Sequence, residues 1–448
     1  MQVEGSSSVF ELLAKPVRKA LATLGFTEPT LPQTLAFPPI LEGKNVLLIA
    51  PTGTGKTEAV LLPIFSKLVE QKNQERKGIQ VIYITPLRAL NRDMFKRLTF
   101  WSQQLDITVE VRHGDTETKI RRKQALKPPQ MLVTTPETLQ AILPGSQMRR
   151  HLSNVQCVII DEVHDLAESK RGAQLTIALE RMVNVTAREF QRIGLSATVG
   201  NPEEVAHFIG GTNREISVVL AVLAKNYRYR VEYLEPIEKD FELAAKLETT
   251  PEAAARIRRL LELIDSHNST LIFVNSRTIA ELLGHRFDQL GRQDIAVHHG
   301  SLSREERIAI EDSFKAGQLK AIICTSTLEL GIDIGNVDLV IQYMSPRQVS
   351  SLIQRVGRSG HSLERLSEGV IVTAFPDDTL ESMAAVNNAK ANIIEPVIFH
   401  KNALDVLAHQ IAGVLMDKET ITQQELLTII KRAYPYSTLT EEKLRDVV

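Results

Sequence analysis

The sequence predicts an α/β protein with two tandem domains, each a parallel sheet flanked by helices, followed by a shorter helical segment. The main observation is that short apolar runs ending in turn or polar residues alternate with segments of helical spacing. These runs form two series, one from "NVLLIAPTGTGKT" to "RIGLSATVG" and one from "TLIFVNSR" to "EGVIVTAF". Such alternation is typical of parallel strands that are covered by helices on both faces.

The helical segment begins near Ala391, where the strand-like runs stop. "HKNALDVLAHQIAGVLMD" has an amphipathic helical pattern, and "ITQQELLTIIKRAY" and "LTEEKLRDVV" predict two more helices. Three helices with no hairpin after them resemble the first half of a winged helix. The last helix has no cap, so we expect the chain to be truncated. The predicted domains are 1–215, with N-terminal helices, 216–390 and 391–448.

The composition narrows the class of protein. The 53 Lys and Arg of the 448 residues nearly cancel the 54 Asp and Glu, so a nucleic-acid surface is expected to be a local basic track. There is no apolar run of about 18 residues and no signal-peptide pattern, which predicts a cytoplasmic protein. Cys157 and Cys324 lie in apolar strand-like runs, and we expect them to be buried, reduced thiols.

The segment "APTGTGKT", from Ala50 to Thr57, follows a predicted strand and opens a predicted helix. It fits the phosphate-binding P-loop, with Ala where Gly is more usual at the first position. Glycines let the backbone curl around phosphates with its N–H groups pointing inward, and the helix N-terminus favours their charge. We therefore expect Lys56 to reach the terminal phosphates, Thr57 to bind Mg²⁺, and the loop to hold the nucleotide through Thr52, Gly53, Thr54 and Gly55.

The segment "VIIDEVH" supplies the second half of a nucleotide site. Asp161, at the end of a predicted strand, is expected to hold Mg²⁺, and Glu162 to orient and deprotonate the attacking water. An acidic pair after a strand is also a common helix N-cap, but its pairing with a P-loop favours the metal and base roles. His164 has two interpretations: it links the ATP site to "SAT" (Ser196 to Thr198), or it packs in the core.

Eight segments in order carry a resemblance to a known family: "PTGTGKT", "TPLRALNRD", "TTPE", "DEVH", "SAT", "LIFVNSR", "TSTLELGIDIG" and "QRVGRSGH". In this order and spacing the chain resembles the superfamily 2 helicases, from Gln33 to His361. Within them it is most similar to the Lhr-type ("large helicase-related") proteins, because of the DEVH box, the terminal His of "QRVGRSGH" and "NALDVLAHQIAG". DEAD-box proteins differ at the first two of these features.

The resemblance implies two RecA-like domains and assigns further nucleotide contacts. Gln33 is expected to read the adenine edge, and Gly331 and Asp333 to face the nucleotide from the second domain. Arg358 is the expected arginine finger, which stabilises charge on the γ-phosphate in the transition state. His361 stands where many relatives have a second finger arginine. Gln354 and Arg355 are expected to support the same interface as Arg358, and a nucleic-acid contact is left open for Arg355.

The resemblance also places a single strand across both domains. Hydroxyls, helix N-termini and isolated arginines bind the backbone without reading bases, so we expect binding that is nearly independent of sequence and sensitive to salt. Scarce aromatic residues, 5% of the chain, argue against a stacking platform. The expected contacts are Arg88, His113, Gly114, Thr135, Ser276, Arg277, Gly300 and Thr325.

These expectations define an enzyme that uses ATP and Mg²⁺ and binds single-stranded nucleic acid. By resemblance it is an ATP-dependent helicase or translocase that moves 3′ to 5′ on single-stranded DNA. It would unwind DNA or DNA–RNA duplexes in DNA repair or recombination. Two alternatives remain open at this point: an RNA-directed remodelling ATPase, and a nucleic-acid clamp whose affinity is set by ATP. Glu162 and Arg358 argue against the clamp, which needs no water-activating base.

Overall fold

The computed structural model describes residues 8–51, 53–71, 78–86, 92–221, 226–329, 334–360 and 366–448. The chain divides into two compact units. The first unit is formed by Met1–Ala50, Thr54–Val222 and Pro396–Val448, and the second by Pro51–Gly53 and Leu223–Glu395. Within the described residues, no helix has the length and apolar character that crossing a membrane requires.

The first unit is built on a parallel sheet of seven described strands in the order β3-β4-β2-β5-β6-β1-β7. Its central strands are buried along their whole length, as expected for apolar runs covered on both faces. The strands are β1 (Val46–Ile49), β2 (Val81–Ile84), β3 (Val109–Arg112), β4 (Met131–Thr134), β5 (Cys157–Ile160), β6 (Gln191–Ser196) and β7 (Ser217–Leu220).

The register of this sheet brings the carboxyl ends of its strands to one edge. The strand ends Ile84, Thr134 and Ile160 lie in register across β2, β4 and β5. Ile49, at the end of β1, pairs with Ser196 of β6. Loops that follow these strands therefore lie along the same edge, which is where parallel α/β sheets bind ligands.

Of the helices around the first sheet, α1 and α2 precede β1, and the others connect the parallel strands. Their bounds are α1 (Lys15–Thr23), α2 (Leu31–Leu41), α3 (Lys56–Glu70), α4 (Arg92–Leu105), α5 (Thr118–Leu126), α6 (Pro136–Ile142), α7 (Ser146–Leu152), α8 (Val163–Ala167), α9 (Lys170–Thr186) and α10 (Pro202–Gly210).

The second unit repeats this architecture with a parallel sheet of six described strands in the order β10-β11-β9-β12-β13-β8. Its strands are β8 (Tyr227–Glu232), β9 (Thr270–Phe273), β10 (Ile295–His298), β11 (Ala321–Cys324), β12 (Leu339–Tyr343) and β13 (Ser367–Val372). Its helices are α11 (Glu238–Lys246), α12 (Pro251–Asp265), α13 (Arg277–Gln289), α14 (Arg304–Lys315), α15 (Val349–Val356) and α16 (Pro376–Lys390). The two predicted parallel-sheet domains are thus confirmed.

Two features of the observed units differ from the domain boundaries at residues 215 and 390 that the sequence predicted. Ser217–Leu220 pairs with β1 and is the edge strand of the first sheet, because its backbone completes the ladder beside Val46–Ile49. The C-terminal helices α17 (Leu404–Lys418), α18 (Gln423–Arg432) and α19 (Glu441–Val447) belong to the first unit. There α17 packs its apolar side chains on α9, with Leu407 and Ile411 in one cluster with Ile177.

An extended segment leads from the second unit to these helices and is anchored on the first. Val397 donates its N–H to Asn201 Oδ1 at 2.7 Å, and its carbonyl accepts from Asn201 Nδ2 at 3.2 Å. Phe399 stacks on Phe208 and meets Tyr434 edge-on. The segment is therefore held by both backbone hydrogen bonds and aromatic packing.

The two cysteines are buried and free, as predicted. Cys157 begins β5 and Cys324 ends β11. Burial raises the pKa of the Cys157 thiol to about 12 and also raises the pKa of Cys324. Both therefore act as small apolar side chains of the two sheets.

Candidate nucleotide and nucleic-acid sites

The P-loop lies between the end of β1 and the start of α3, at the carboxyl edge of the first sheet. Gly53 and Gly55 have φ of 77° and 83°, a backbone conformation that other residues adopt only with strain. Gly55 is needed for a second reason, since a Cβ there would lie 3.2 Å from Thr30 Oγ1 and 3.4 Å from Gln33 Nε2. The loop therefore turns tightly into the N-terminus of a 15-residue helix.

Gln33 lies beside this loop in a capping box at the start of α2. Its Oε1 accepts the Thr30 N–H at 3.0 Å, and its side chain is buried. Its amide nitrogen lies on the side of Gly55 where a Cβ would be. The structure thus brings Gln33 to the P-loop and commits its oxygen to the helix cap. The sequence pattern Thr-x-x-Gln, which is typical of a capping box, is the signal that predicts the hydrogen bond between Thr30 and Gln33.

Lys56, the first residue of α3, is held at the same edge. Its Nζ donates to the backbone carbonyl of Ser196 at 3.3 Å. Thr57 follows on α3 and is half-buried, and Thr54 is buried in the loop. Among the described residues this is a single weak contact to a carbonyl, which leaves the ammonium two further protons for phosphate oxygens.

The acidic pair follows β5 at this edge. The Tyr83 hydroxyl donates to Asp161 Oδ2 at 2.5 Å, and the Glu162 N–H donates to Asp161 Oδ1 at 2.9 Å. Burial, and then the charge of Glu162, raise the pKa of Asp161 to about 6. Glu162 has a φ of 45°, which is uncommon outside glycine and typical of strained functional positions. The two carboxylates are thus held in place despite their repulsion.

His164 connects this pair to the segment "SAT". Its Nδ1 lies 3.6 Å from Glu162 Oε2 and 3.3 Å from Ser196 Oγ, and it accepts the Ala197 N–H at 3.3 Å. These contacts are the ones expected if His164 links the acidic pair to "SAT" rather than only packing in the core. Ser196 is the meeting point, since its carbonyl also binds Lys56.

The residues at this edge fit a magnesium ion that binds with a nucleotide. Among the described residues, no three His, Cys, Asp or Glu side chains form a group able to hold a metal by themselves. Mg²⁺ does not need such a group, because it uses one or two carboxylates together with phosphates and water. Asp161, with its buried and destabilised charge, and the Thr57 hydroxyl are donors of the expected kind.

The predicted finger segment lies on and just after α15 in the second unit. Arg355 is buried: its Nε and Nη2 donate to Glu329 Oε2 at 3.1 and 3.0 Å, and its Nη1 donates to Gln342 Oε1 at 2.7 Å. Its guanidinium also lies over the Phe273 ring. Gln354, its neighbour, is half-buried. Arg355 therefore supports the interior of the unit and has little surface for a strand.

Arg358 is held by the backbone carbonyl of the same residue, Glu329. Its Nε and Nη2 donate to the Glu329 carbonyl at 3.2 and 2.6 Å. Glu329 thus positions both arginines, one with its carboxylate and one with its carbonyl. Sequence reasoning missed this residue. The signal available was a charged side chain in the middle of "TSTLELGIDIG", which is buried only when it is paired.

In the first unit, three residues predicted to contact single-stranded nucleic acid lie directly after β3 and β4. His113 and Gly114 follow β3, and both of their carbonyls accept from Arg121 Nη2. Thr135 caps α6, where its Oγ1 accepts the Thr138 N–H at 3.4 Å. The sheet register brings these residues to the carboxyl edge. The structure therefore groups them where a single backbone-binding surface is expected.

The second unit repeats this arrangement after β9, β10 and β11. The ends of these strands, Phe273, His298 and Cys324 respectively, are in register. Ser276 caps α13 by accepting the Ile279 N–H at 3.2 Å, and Arg277 donates to Ser301 Oγ at 3.1 Å. Gly300 and Thr325 complete the group, and the Thr325 side chain makes no capping bond. Small residues, hydroxyls and a helix N-terminus meet here, as phosphate binding requires.

Five predicted site residues lie outside the described residues. They are Thr52, Arg88, Gly331, Asp333 and His361.

Comparisons with known proteins give the family. Residues 30–205 match the DEAD/DEAH box helicase family, and residues 253–362 match the helicase conserved C-terminal domain. Over 98% of its length the chain is 36% identical to the ATP-dependent helicase Lhr-Core of Methanocaldococcus jannaschii, of which it covers 53%. It is 32% identical over 97% of its length to the Lhr helicase/uracil glycosylase of Escherichia coli, of which it covers 32%.

A solved structure agrees with these relatives. The structure of Mycobacterium smegmatis helicase Lhr bound to ssDNA and AMP-PNP matches with a TM-score of 0.85 and 34% identity, covering 98% of this chain and 58% of that chain. Its coverage extends beyond both matched domains, into the C-terminal helices. The fold described above is thus that of a known helicase architecture.

The chain carries the two domains of an ATP-dependent helicase of the DEAD/DEAH box class. Within that class it is similar to the Lhr-type helicases, which match nearly its whole length. The chain spans about half the length of the curated Lhr-Core relatives that it matches.

Proposed function

We propose that the chain hydrolyses ATP to move 3′ to 5′ on single-stranded DNA and thereby separates DNA or DNA–RNA duplexes, in DNA repair or recombination. The observation that carries the ATPase is the half-buried acidic pair Asp161 and Glu162, joined through His164 and Ser196 to the P-loop Lys56. The M. smegmatis relative binds ssDNA and AMP-PNP, which supports single-stranded DNA as the track.

In this proposal the residues of the first unit have separate tasks. The P-loop N–H groups and Lys56 hold the phosphates, and Mg²⁺ would be held by Thr57 and Asp161 and would neutralise phosphate charge. Glu162 takes the proton of the attacking water. His164 lies 3.6 Å from that carboxylate and connects it to Ser196. Tyr83 donates to Asp161 and so keeps this carboxylate fixed while it is ionised.

The proposed strand contacts are suited to movement rather than to reading sequence. The residues after β3, β4, β9, β10 and β11 offer hydroxyls, glycine backbone and helix N-termini, which bind phosphate of any sequence. Each unit has its own group of such residues. Alternating grip by the two groups in an ATP cycle would produce net movement along one strand.

The test is ATP hydrolysis by the purified chain with single-stranded DNA or RNA of equal length, followed by unwinding of 3′-tailed and 5′-tailed duplexes. We expect stronger stimulation by DNA and unwinding of the 3′-tailed duplex. Stimulation by RNA but not by DNA would contradict the DNA helicase proposal and support an RNA-directed remodelling ATPase. Strand binding that depends on ATP, without any stimulated hydrolysis, would establish the clamp instead.

A further inference from the structure

The N-terminus of α15 is capped by a residue far along the chain. The side chain of Gln348, the local N-cap residue, makes no capping bond. The Val349 and Ser350 N–H groups instead donate to the two carboxylate oxygens of Glu395, at 2.6 and 3.3 Å. A carboxylate that accepts two backbone N–H groups at the positive end of a helix is a strong, charge-assisted anchor.

The candidate arginines lie at the other end of this helix, with Arg355 in its last turn and Arg358 two residues beyond Val356. Val356 is buried against β13, where a Cβ on Gly369 would lie 2.4 Å from Val356 Cγ2, so the C-terminal turn has no room to shift. The N-terminal turn is packed as well, since Val349 and Leu352 are buried in the same core cluster as Val356, and its backbone N–H groups are held by Glu395. The direction of the helix is therefore determined by core packing along its buried face together with the Glu395 cap at its N-terminus.

The length of α15 makes this anchor effective at the arginines. Eight residues form a rod of about 12 Å, too short to bend, so a tilt at its first turn moves its last turn. Arg355 and Arg358 must keep their distances to Glu329 of about 3 Å. Hydrogen bonds of this kind weaken steeply when their geometry changes.

We propose that Glu395 is a positioning residue for ATP hydrolysis, which acts through α15 to place Arg355 and Arg358. This inference rests on the proposed function, in which Arg358 stabilises charge that develops in the transition state. Glu395 is the last residue of the second unit before the chain returns to the first. The carboxylate that fixes the arginine-bearing helix therefore lies where the two units are joined covalently.

The experiment measures strand-stimulated ATP hydrolysis for the wild type, Glu395→Ala and Glu395→Gln. Glu381→Ala is the matched control, because Glu381 is an exposed glutamate of the same unit. Loss of the cap is expected to lower kcat about tenfold, while KM for ATP changes less than about twofold. Glutamine keeps one acceptor oxygen, so Glu395→Gln is expected to lie between alanine and the wild type.

A merely structural role is distinguished by combining variants. In an Arg358→Ala background, whose residual kcat is measured at high enzyme concentration, Glu395→Ala is expected to cause no further fall, because the arginine that acts on the nucleotide is already gone. A Glu395→Ala protein with wild-type kcat, or a full additional fall in the Arg358→Ala background, would overturn the inference. If Glu395→Ala does not fold, the kcat of Glu395→Gln decides. A wild type without strand-stimulated hydrolysis would refute the proposed function itself, which is a different result.

Discussion

Replacement of Gly413 by alanine tests how the C-terminal helices are attached to the first unit. Gly413 lies on α17 against the buried guanidinium of Arg181, and a Cβ there would lie 2.5 Å from Nη1 and 2.9 Å from Cζ. That guanidinium donates to Asp417 Oδ2 at 2.7 Å, to Gln410 Oε1 at 3.3 Å and to the Gly413 carbonyl at 3.0 Å. The added methyl group therefore requires the buried guanidinium to shift, and we expect this shift to break its three bonds.

The size of the effect follows from two opposing contributions. Separating a buried ion pair costs about 3–5 kcal/mol, and the side chains of Arg181 and Asp417 are 2% and 6% exposed. Alanine stabilises a helix by about 1 kcal/mol relative to glycine. The free energy of unfolding of Gly413→Ala is therefore expected to fall by about 2–4 kcal/mol.

Urea unfolding followed by tryptophan fluorescence measures this change. Trp101 is the sole tryptophan of the chain and is buried in the core of the first unit. The control is Ala412→Gly, at an exposed neighbouring position of α17, which is expected to lose only about 1 kcal/mol from helix propensity. A Gly413→Ala protein as stable as the wild type would refute the argument, since Arg181 would then move freely.

Three further predictions concern activity. Glu162→Gln is expected to bind ATP but to lower kcat about 100-fold, as measured by phosphate release; hydrolysis at the wild-type rate would remove Glu162 as the base. Arg358→Ala is expected to lose stimulated hydrolysis while His361→Arg keeps it, in the same assay; equal tolerance would mean that the finger is elsewhere. Affinity for single-stranded DNA, by fluorescence anisotropy, is expected to fall about twentyfold between 50 and 200 mM salt for three neutralised phosphates. Salt-independent binding would contradict a phosphate-binding surface.

The nucleotide site was the part of the molecule that the sequence predicted best, and its locality explains this. The P-loop is one continuous segment, and Asp161 and Glu162 are adjacent, so strand and turn patterns suffice to place them on one sheet edge. The same patterns predicted the two parallel sheets. Tyr83 was not found, because its hydrogen bond to Asp161 depends on the pairing of β2 with β5.

The contacts around the arginines were harder to predict for the same reason. "QRVGRSGH" contains both Arg355 and Arg358, but nothing local shows that one is enclosed by Glu329, Gln342 and Phe273. Their partners come from other strands and loops of the second sheet. The attachment of α17 to α9 was also invisible, because an amphipathic pattern shows that a helix has a buried face but not what covers it.

The return of the chain to the first unit has a consequence for its synthesis. Pro396–Val448 leaves the ribosome only after the whole second unit, about 170 residues, which takes roughly 10 to 35 seconds at typical elongation rates. During that interval Ala173 and Ile177 on α9 lack the C-terminal side chains that later cover them. The nascent first unit thus exposes an apolar helix face, and a chaperone that binds such faces would protect it from aggregation at this stage.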